Sequence, residues 1–208
     1  MPLTASPTPT LPASSSPAAT PVATVSASGP WTFTVDTSSK ATVRVREVVA
    51  RIRAPGDALL STSAVKGSFT LNADGTFAPT SKIAVDLTTL RSDQSQRDQY
   101  IKDNTLQTRR FPSAEFVPTK ATGVPLPLPA NADMKFTLTG DITIHGVTKS
   151  VTFAVAAARA GSKLAVTATA EPAWKFADFG MTVPRVASVL SIEDDIRVEI
   201  TLATTERG

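Results

Sequence analysis

The 208-residue chain contains no cysteine. That absence excludes disulfides, thiol nucleophiles and cysteine-ligated metals, and it leaves the compartment open. There is one histidine, His145, where a protein metal site usually needs three or four ligands, so no metal is expected. No apolar run reaches the roughly 18 residues that a membrane-spanning helix needs. Aromatics make up 6% of the chain, and its 21 basic and 18 acidic residues are scattered along it. Nucleic-acid binders concentrate their positive charge, so no nucleic-acid partner is expected, although the net charge of +3 suits an anionic membrane surface. The glycines, ten in all, are isolated from one another and are expected at turns, and neither a phosphate-binding glycine loop nor a Gly-x-Ser-x-Gly elbow occurs.

The first 30 residues lack Asp, Glu, Lys and Arg altogether and hold seven of the sixteen prolines. Such a segment buries too little apolar surface to offset its ordering entropy. Residues 1–30 are therefore expected to be a disordered Pro/Ser/Thr/Ala-rich linker ahead of one domain over 31–208. Met1-Pro2-Leu3 has neither the basic region nor the apolar run of a signal peptide. A charge-free spacer before a folded domain is typical of exported proteins tethered to a surface. The expectation is an extracytoplasmic protein, periplasmic, secreted or lipid-anchored, whose native signal was removed upstream.

What the domain does have is alternation. Val43 and Val45 alternate with Thr42, Arg44 and Arg46; Ile83, Val85 and Leu87 alternate with Lys82, Ala84 and Asp86. Met134, Phe136, Leu138, Ile142 and Ile144 share one parity, and Val147, Val151, Phe153 and Val155 another run of it. Ile196, Val198, Ile200 and Leu202 end the series. Each run is a strand with one dry and one wet face. Asn72-Ala73-Asp74-Gly75, His145-Gly146 and Ala160-Gly161-Ser162 supply turns between them. Successive strands with short turns make an all-β, antiparallel sandwich or barrel, and long one-sided strands favour the barrel, because closure removes exposed edges. Ser92–Leu106 breaks the pattern and predicts a helix over roughly 93–103, capped by Ser92 or Asp93, across one end. Glu193-Asp194-Asp195 lacks the spacing of a calcium loop and is expected in a solvated turn at the start of the last strand. Alternation alone leaves two interiors open, a packed core or a ligand cavity.

The chemistry on offer is sparse. Asp36, Asp98 and Asp178 could act as a general acid or base if buried. Asp98, beside Arg97, could instead make a local ion pair or tie the helix to the barrel. His145 at a tight turn reads as structural, and no local signature places it in a Ser-His-Asp triad. Trp174, Phe176 and Phe179 either line a pocket or plug an end.

In order, the landmarks are Trp31-Thr-Phe-Thr-Val-Asp36 with Ser39, Ala64-Val-Lys-Gly67-Ser-Phe69, and Ile83–Leu90 followed by Ser92, Arg97-Asp98 and Leu106. Arg110-Phe-Pro112 through Phe116, Gly140-Asp-Ile-Thr-Ile-His-Gly-Val-Thr-Lys149 and Asp178-Phe-Gly-Met181 complete them. This series resembles the YceI-like, polyisoprenoid-binding family over essentially all of 31–208. The resemblance implies an eight-stranded, lipocalin-like antiparallel barrel, with one or two short helices over an end. It also implies a non-enzymatic carrier of a long apolar lipid such as an isoprenoid, a quinone or a fatty-acid-like molecule, acting outside the cytoplasm and often paired as a homodimer. No cofactor beyond such a lipid is expected. The expected lining is Val43, Val45, Phe69, Ile83, Val85, Phe116, Phe136, Leu138, Phe153, Trp174, Phe176 and Phe179, with Arg97, Asp98 and His145 as structural or cavity-mouth residues and none catalytic. The loop over 54–63 looks longer than usual. Lys175 and Phe176 stand where many members have Asn-Arg, and Ser38 where many have His, so polar head-group contacts are changed. Two other functions compete: an enzyme acting on a lipid through His145, and an interaction module with an occluded barrel.

Overall fold

The computed structural model describes residues 29–50, 53–185 and 189–207. All but the last two residues of the expected linker thus lie outside the described residues. Ten strands follow in order: β1 Trp31–Val35, β2 Lys40–Val49, β3 Ala54–Thr62, β4 Val65–Leu71, β5 Lys82–Asp86, β6 Ser113–Thr122, β7 Asn131–Ile144, β8 Val147–Ala160, β9 Lys163–Ala170 and β10 Val189–Arg207. One helix, α1, covers Ser95–Tyr100 and continues as a π-helical turn through Ile101–Thr105.

The ten strands make an eight-stranded closed barrel because the first four are two kinked strands. β1 and β2 are separated only by a turn at 36–39, β3 and β4 only by Ser63-Ala64. The pairs run antiparallel throughout, Ala41 facing Thr62 and Trp31 facing Leu71. From β4 the sheet proceeds neighbour to neighbour to β10. β10 then closes it: Glu199–Thr205 pair with β9, Thr201 and residues before it with β2, and Thr204–Arg207 with β1.

The kink between β1 and β2 would leave the Ala203 N–H of β10 without a partner on that side. Ser39, fully buried, supplies one. Its hydroxyl accepts from the Ala203 N–H at 3.1 Å and donates to the Ala203 carbonyl at 3.2 Å, which also accepts from the Asp36 N–H at 2.8 Å. A side chain thus stands in for backbone where the strand bends.

Strand parity decides what faces inward. In β8, Phe153, Val155 and Ala157 are buried while Ala156 and Ala158 are exposed. The His145-Gly146 hairpin is a two-residue turn with φ +52° and +78°, the twist-matched geometry for a tight antiparallel connection. Three details differ from the sequence expectation. Residues 54–62 are a strand, paired to β2 along its length, rather than a long loop. Gln94 stands at the start of α1 without a side-chain cap; the Ser92 hydroxyl accepts from the Gln94 N–H at 3.1 Å and donates to Asp98 at 2.7 Å, so Ser92 organises the helix entry together with the Asp98 carboxylate rather than as the N-cap, and Asp93 does not. Glu193–Asp195 lie inside β10, where the register shifts between Ile192 and Ile196, rather than in a turn before it.

The end opposite α1 is closed by Arg159. Its guanidinium is buried under the 123–130 loop, donates to the Leu128 carbonyl at 3.0 Å and pairs with Glu206 at 2.5 Å. A buried charge survives only when so paired and bonded.

Replacing Ser39 by Ala leaves the Ala203 N–H without its partner. The expected loss is about 1–3 kcal/mol of unfolding free energy, measured by urea denaturation, with the barrel's far-UV spectrum retained.

Candidate functional site

The interior is divided. Towards α1 lies an upper chamber of about 130 Å³, lined by side chains of β2, β5, β6, β7 and β10 together with Leu87, Leu90, Ile101, Leu106, Trp174, Phe176, Phe179 and Met181. Thr105 is the one polar residue in its wall. Towards Arg159 lies a lower chamber of about 70 Å³, with wholly apolar walls that include Phe33, Phe69, Phe77, Leu128, Phe136 and Leu202.

Between them runs a row of rings in edge contact: Phe116 to Phe153 at 5.3 Å, Phe153 to Trp174 at 5.9 Å, and Trp174 to Phe179 at 5.4 Å. Strand parity places this layer. On β6, Ala114 lines the upper chamber, Pro118 the lower, and Phe116 comes between them. On β7, Ile142 lines the upper, Leu138 the lower, and Gly140 comes between. A Cβ on Gly140 would meet the Phe116 ring at 2.6 Å, so glycine is what lets the ring lie across the barrel.

Above the upper chamber is a third and larger space of about 960 Å³, the mouth. β2 and β3 flank it on one side and α1 on the other, with Pro184, Val189 and Ile192 along its rim. Val45, Leu60, Ile101 and Phe176 border both mouth and upper chamber, so the two spaces adjoin at these four side chains. The polar wall is Glu47, Gln94, Gln96, Arg97 and Tyr100. Glu47 is only 6% exposed, and Arg97 reaches from α1 to bond its Oε1 at 3.1 Å and Asp93 at 3.0 Å.

The expected lining residues therefore fall into distinct places. Val43, Val45, Val85, Trp174, Phe176 and Phe179 line the upper chamber; Phe69, Ile83, Phe136 and Leu138 line the lower; Phe116 and Phe153 line neither and form the partition. Arg97 is at the mouth. Asp98 is buried and accepts from the Ser92 N–H at 2.8 Å, so its partner is the helix entry and not Arg97. Ser38 is exposed at the β1–β2 turn, and Lys175 points outward to Asp195 at 2.6 Å.

The candidate acid–base residues do not converge. Asp36 accepts from the Thr205 hydroxyl at 3.0 Å, beside the β1–β2 kink. His145 Nδ1 lies 3.1 Å from the Phe179 carbonyl and so carries the proton, while its buried Nε2 has no partner among the described residues. Its ring packs on Phe111. That arrangement ties the β7–β8 hairpin to the turn at Phe176–Phe179 and leaves the imidazole without a carboxylate. Asp178 accepts from Lys149 at 2.5 Å and from the Lys175 N–H at 2.7 Å. The ammonium first, and the N–H second, hold its carboxyl below the ordinary aspartate range. Asp194 accepts from the Phe176 N–H at 2.9 Å. The acidic run in β10 thus grips the segment that carries Trp174 and Phe176.

Two residues of consequence escaped the sequence reading, and both carried a signal. Glu47 continues the inward parity of Ala41, Val43 and Val45, and Arg159 continues that of Phe153, Val155 and Ala157. A charge on the dry parity of a strand must be paired, and here the two mark the two ends of the barrel.

The family model described as the YceI-like domain matches residues 31–204. A protein of Pseudomonas putida described as a UPF0312 protein is 39% identical over 105 residues, covering 45% of this chain and 50% of the relative. A UPF0312 protein of Vibrio vulnificus is 30% identical over 96 residues, covering 46% of this chain and 47% of the relative. The chain spans about half the length of these relatives. Among solved structures, the fold is similar to a polyisoprenoid-binding domain from Saccharophagus degradans implicated in plant cell wall breakdown, with a TM-score of 0.64 and 14% identity over 84% of this chain and 98% of that one. It is also similar to Burkholderia cenocepacia BcnA, with a TM-score of 0.61 and 17% identity over 82% and 99%.

Because Asp178 is held below its unfolded value, its contribution is full above the ordinary aspartate pKa and is lost as pH falls through the folded value. Asp178→Asn is expected to cost less than about 1 kcal/mol at neutral pH, since the pair is partly exposed. The gap to the unsubstituted protein should close below about pH 4, as read from denaturation midpoints across an acid series.

Proposed function

The chain belongs to the YceI-like domain family, and from that membership and the cavity we propose that it binds a long apolar lipid inside the barrel and carries it, outside the cytoplasm, without chemistry of its own. The observation that carries this reading is the composition of the inner walls. Two chambers in line with a wide mouth are lined by apolar side chains, with Thr105 the one polar residue among them. Such a surface recognises methylenes and methyls, each worth about 0.8 kcal/mol on burial, and has nothing with which to polarise a bond. The solved relative from Saccharophagus degradans is described as polyisoprenoid-binding, which supports the same class of ligand here.

Size adds a condition. A dry cavity of about 150 Å³ holds one benzene, so the upper chamber at about 130 Å³ holds about one isoprene unit. A longer tail fills the mouth first and reaches the lower chamber only when the Phe116–Phe153–Trp174 layer parts. A ligand-binding state that uses both chambers is therefore wider than this one. The charge-free composition of the first 30 residues supports an extracytoplasmic setting, where the barrel meets lipid at a membrane surface.

Lipid extraction and native mass spectrometry of protein made in a bacterial host are expected to show one apolar lipid per barrel. Protein that carries none, and takes up none when offered isoprenoids, quinones and fatty acids, would overturn the reading. Ala58→Phe, which places a ring at a buried position of the mouth wall, is expected to weaken uptake about tenfold or more and to cost about 1–3 kcal/mol of stability, with the far-UV spectrum of the barrel retained.

A further inference from the structure

The two chambers inside the barrel differ in access. The upper chamber adjoins the mouth at four shared side chains, whereas the upper and lower chambers have no wall residue in common. The far end of the lower chamber is sealed by Arg159 and the Leu128 carbonyl that it holds. A tail therefore arrives from above and meets the aromatic layer first. On β6, β7 and β8 that layer takes up one inward position each, Phe116, Gly140 and Phe153. On β5 and β10 it takes up none: Val85 and Ile200 line the upper chamber, and the next inward residues, Ile83 and Leu202, line the lower. The rings thus come from one side of the barrel and fill a level to which the other side contributes nothing.

Resting on the lipid-binding reading, we propose that this layer is the floor of the binding site and that Phe116, seated on Gly140, sets its depth. The tip of the tail stops at Phe153 and Trp174, and the lower chamber takes no part in binding. Phe116 occupies the place of a β7 side chain, since a Cβ on Gly140 would meet its ring at 2.6 Å. Phe153 touches that ring on one side and Trp174 on the other. A phenyl ring needs about 150 Å³ of dry cavity, more than the upper chamber or the lower one offers. A ring swung aside would fill the space that its own movement opens. The ligand class follows from the depth. About five carbons of a tail fit in the upper chamber, and the rest of the molecule, head included, lies in the mouth or beyond it. The barrel thus reads the end of a tail and is indifferent to the length that extends past the mouth.

The test locates the tip of a bound tail. Dodecanol with an isotope-labelled terminal methyl is added to deuterated protein whose Ile and Leu methyls are protonated, and nuclear Overhauser contacts between the two are recorded. Contacts are expected at Ile142 and Ile200, above the layer, and none at Leu138 and Leu202, below it. Phe116→Ala joins the two chambers and is expected to add contacts at Leu138 and Leu202; Phe116→Val serves the same purpose if the alanine variant loses the barrel's far-UV spectrum. Phe136→Ala, which enlarges the lower chamber beneath an intact layer, is expected to leave the contacts of the unsubstituted protein unchanged. Contacts at Leu138 or Leu202 in the unsubstituted protein or in Phe136→Ala, or a tip confined to the mouth, would overturn the floor while leaving lipid binding intact. Contacts still confined to Ile142 and Ile200 in the folded Phe116 variant overturn the assignment to Phe116. Protein that takes up no dodecanol overturns the lipid-binding reading and the floor with it.

Discussion

Everything in this molecule depends on how β10 closes the sheet. A single strand of 19 residues serves three neighbours, and it can do so only because the first strand bends away from it at 36–39. The bend leaves the Ala203 N–H without a backbone partner on that side, and the Ser39 hydroxyl supplies one, while the Ala203 carbonyl keeps the Asp36 N–H. Closure in turn removes every edge but the outer one of β3, part of which Arg91 covers through paired bonds to Ser61. It also turns inward parity into burial or partial burial around the barrel.

The closed wall then raises a packing problem, and its solution shapes the cavity. Aromatic rings from β6, β8 and the 174–179 segment meet edge to edge across the barrel, where Gly140 makes room. Such contacts are worth about 0.5–1.5 kcal/mol beyond their area, and they hold the partition. The Arg159 cluster seals one end with a fully paired charge. At the other end α1, entered through the buried Asp98, leaves a wide opening. A vessel closed below, divided in the middle and open above is suited to holding an elongated apolar molecule end-on.

Much of this was legible along the chain. Parity located β2, β5, β7, β8 and the last half of β10, and the His145-Gly146 turn has the backbone geometry that its position between two long strands requires. The 54–62 segment, which looks like a long loop beside the family's landmarks, is a strand even though it contains Pro55, Gly56 and Asp57, because β2 offers an uninterrupted ladder to pair with, and pairing outweighs local preference. The acidic run 193–195 was misread for a related reason. Three acidic residues suggest solvent, but a bulge lets Asp194 and Asp195 turn to the 174–176 segment while the strand continues. At the site, parity named residues that face inward, and it had no means of dividing chamber walls from partition: Phe116 and Phe153 differ from Phe136 and Phe69 only in height along the barrel.

The amino-acid sequence by itself determined the architecture and the dry interior, because alternation with period two encodes, residue by residue, which side of a strand meets water. The landmark series over 31–208 determined the family. Tertiary structure alone decided how much space the interior leaves, where it is interrupted, and which charges meet at its ends. Those properties arise between residues far apart in the chain: Glu47 with Arg97, Arg159 with Glu206, Phe116 with Phe153 and Trp174. A periodic pattern records the direction of each side chain, and the distance between two of them across a barrel is set only once strand order, register and shear bring the walls together.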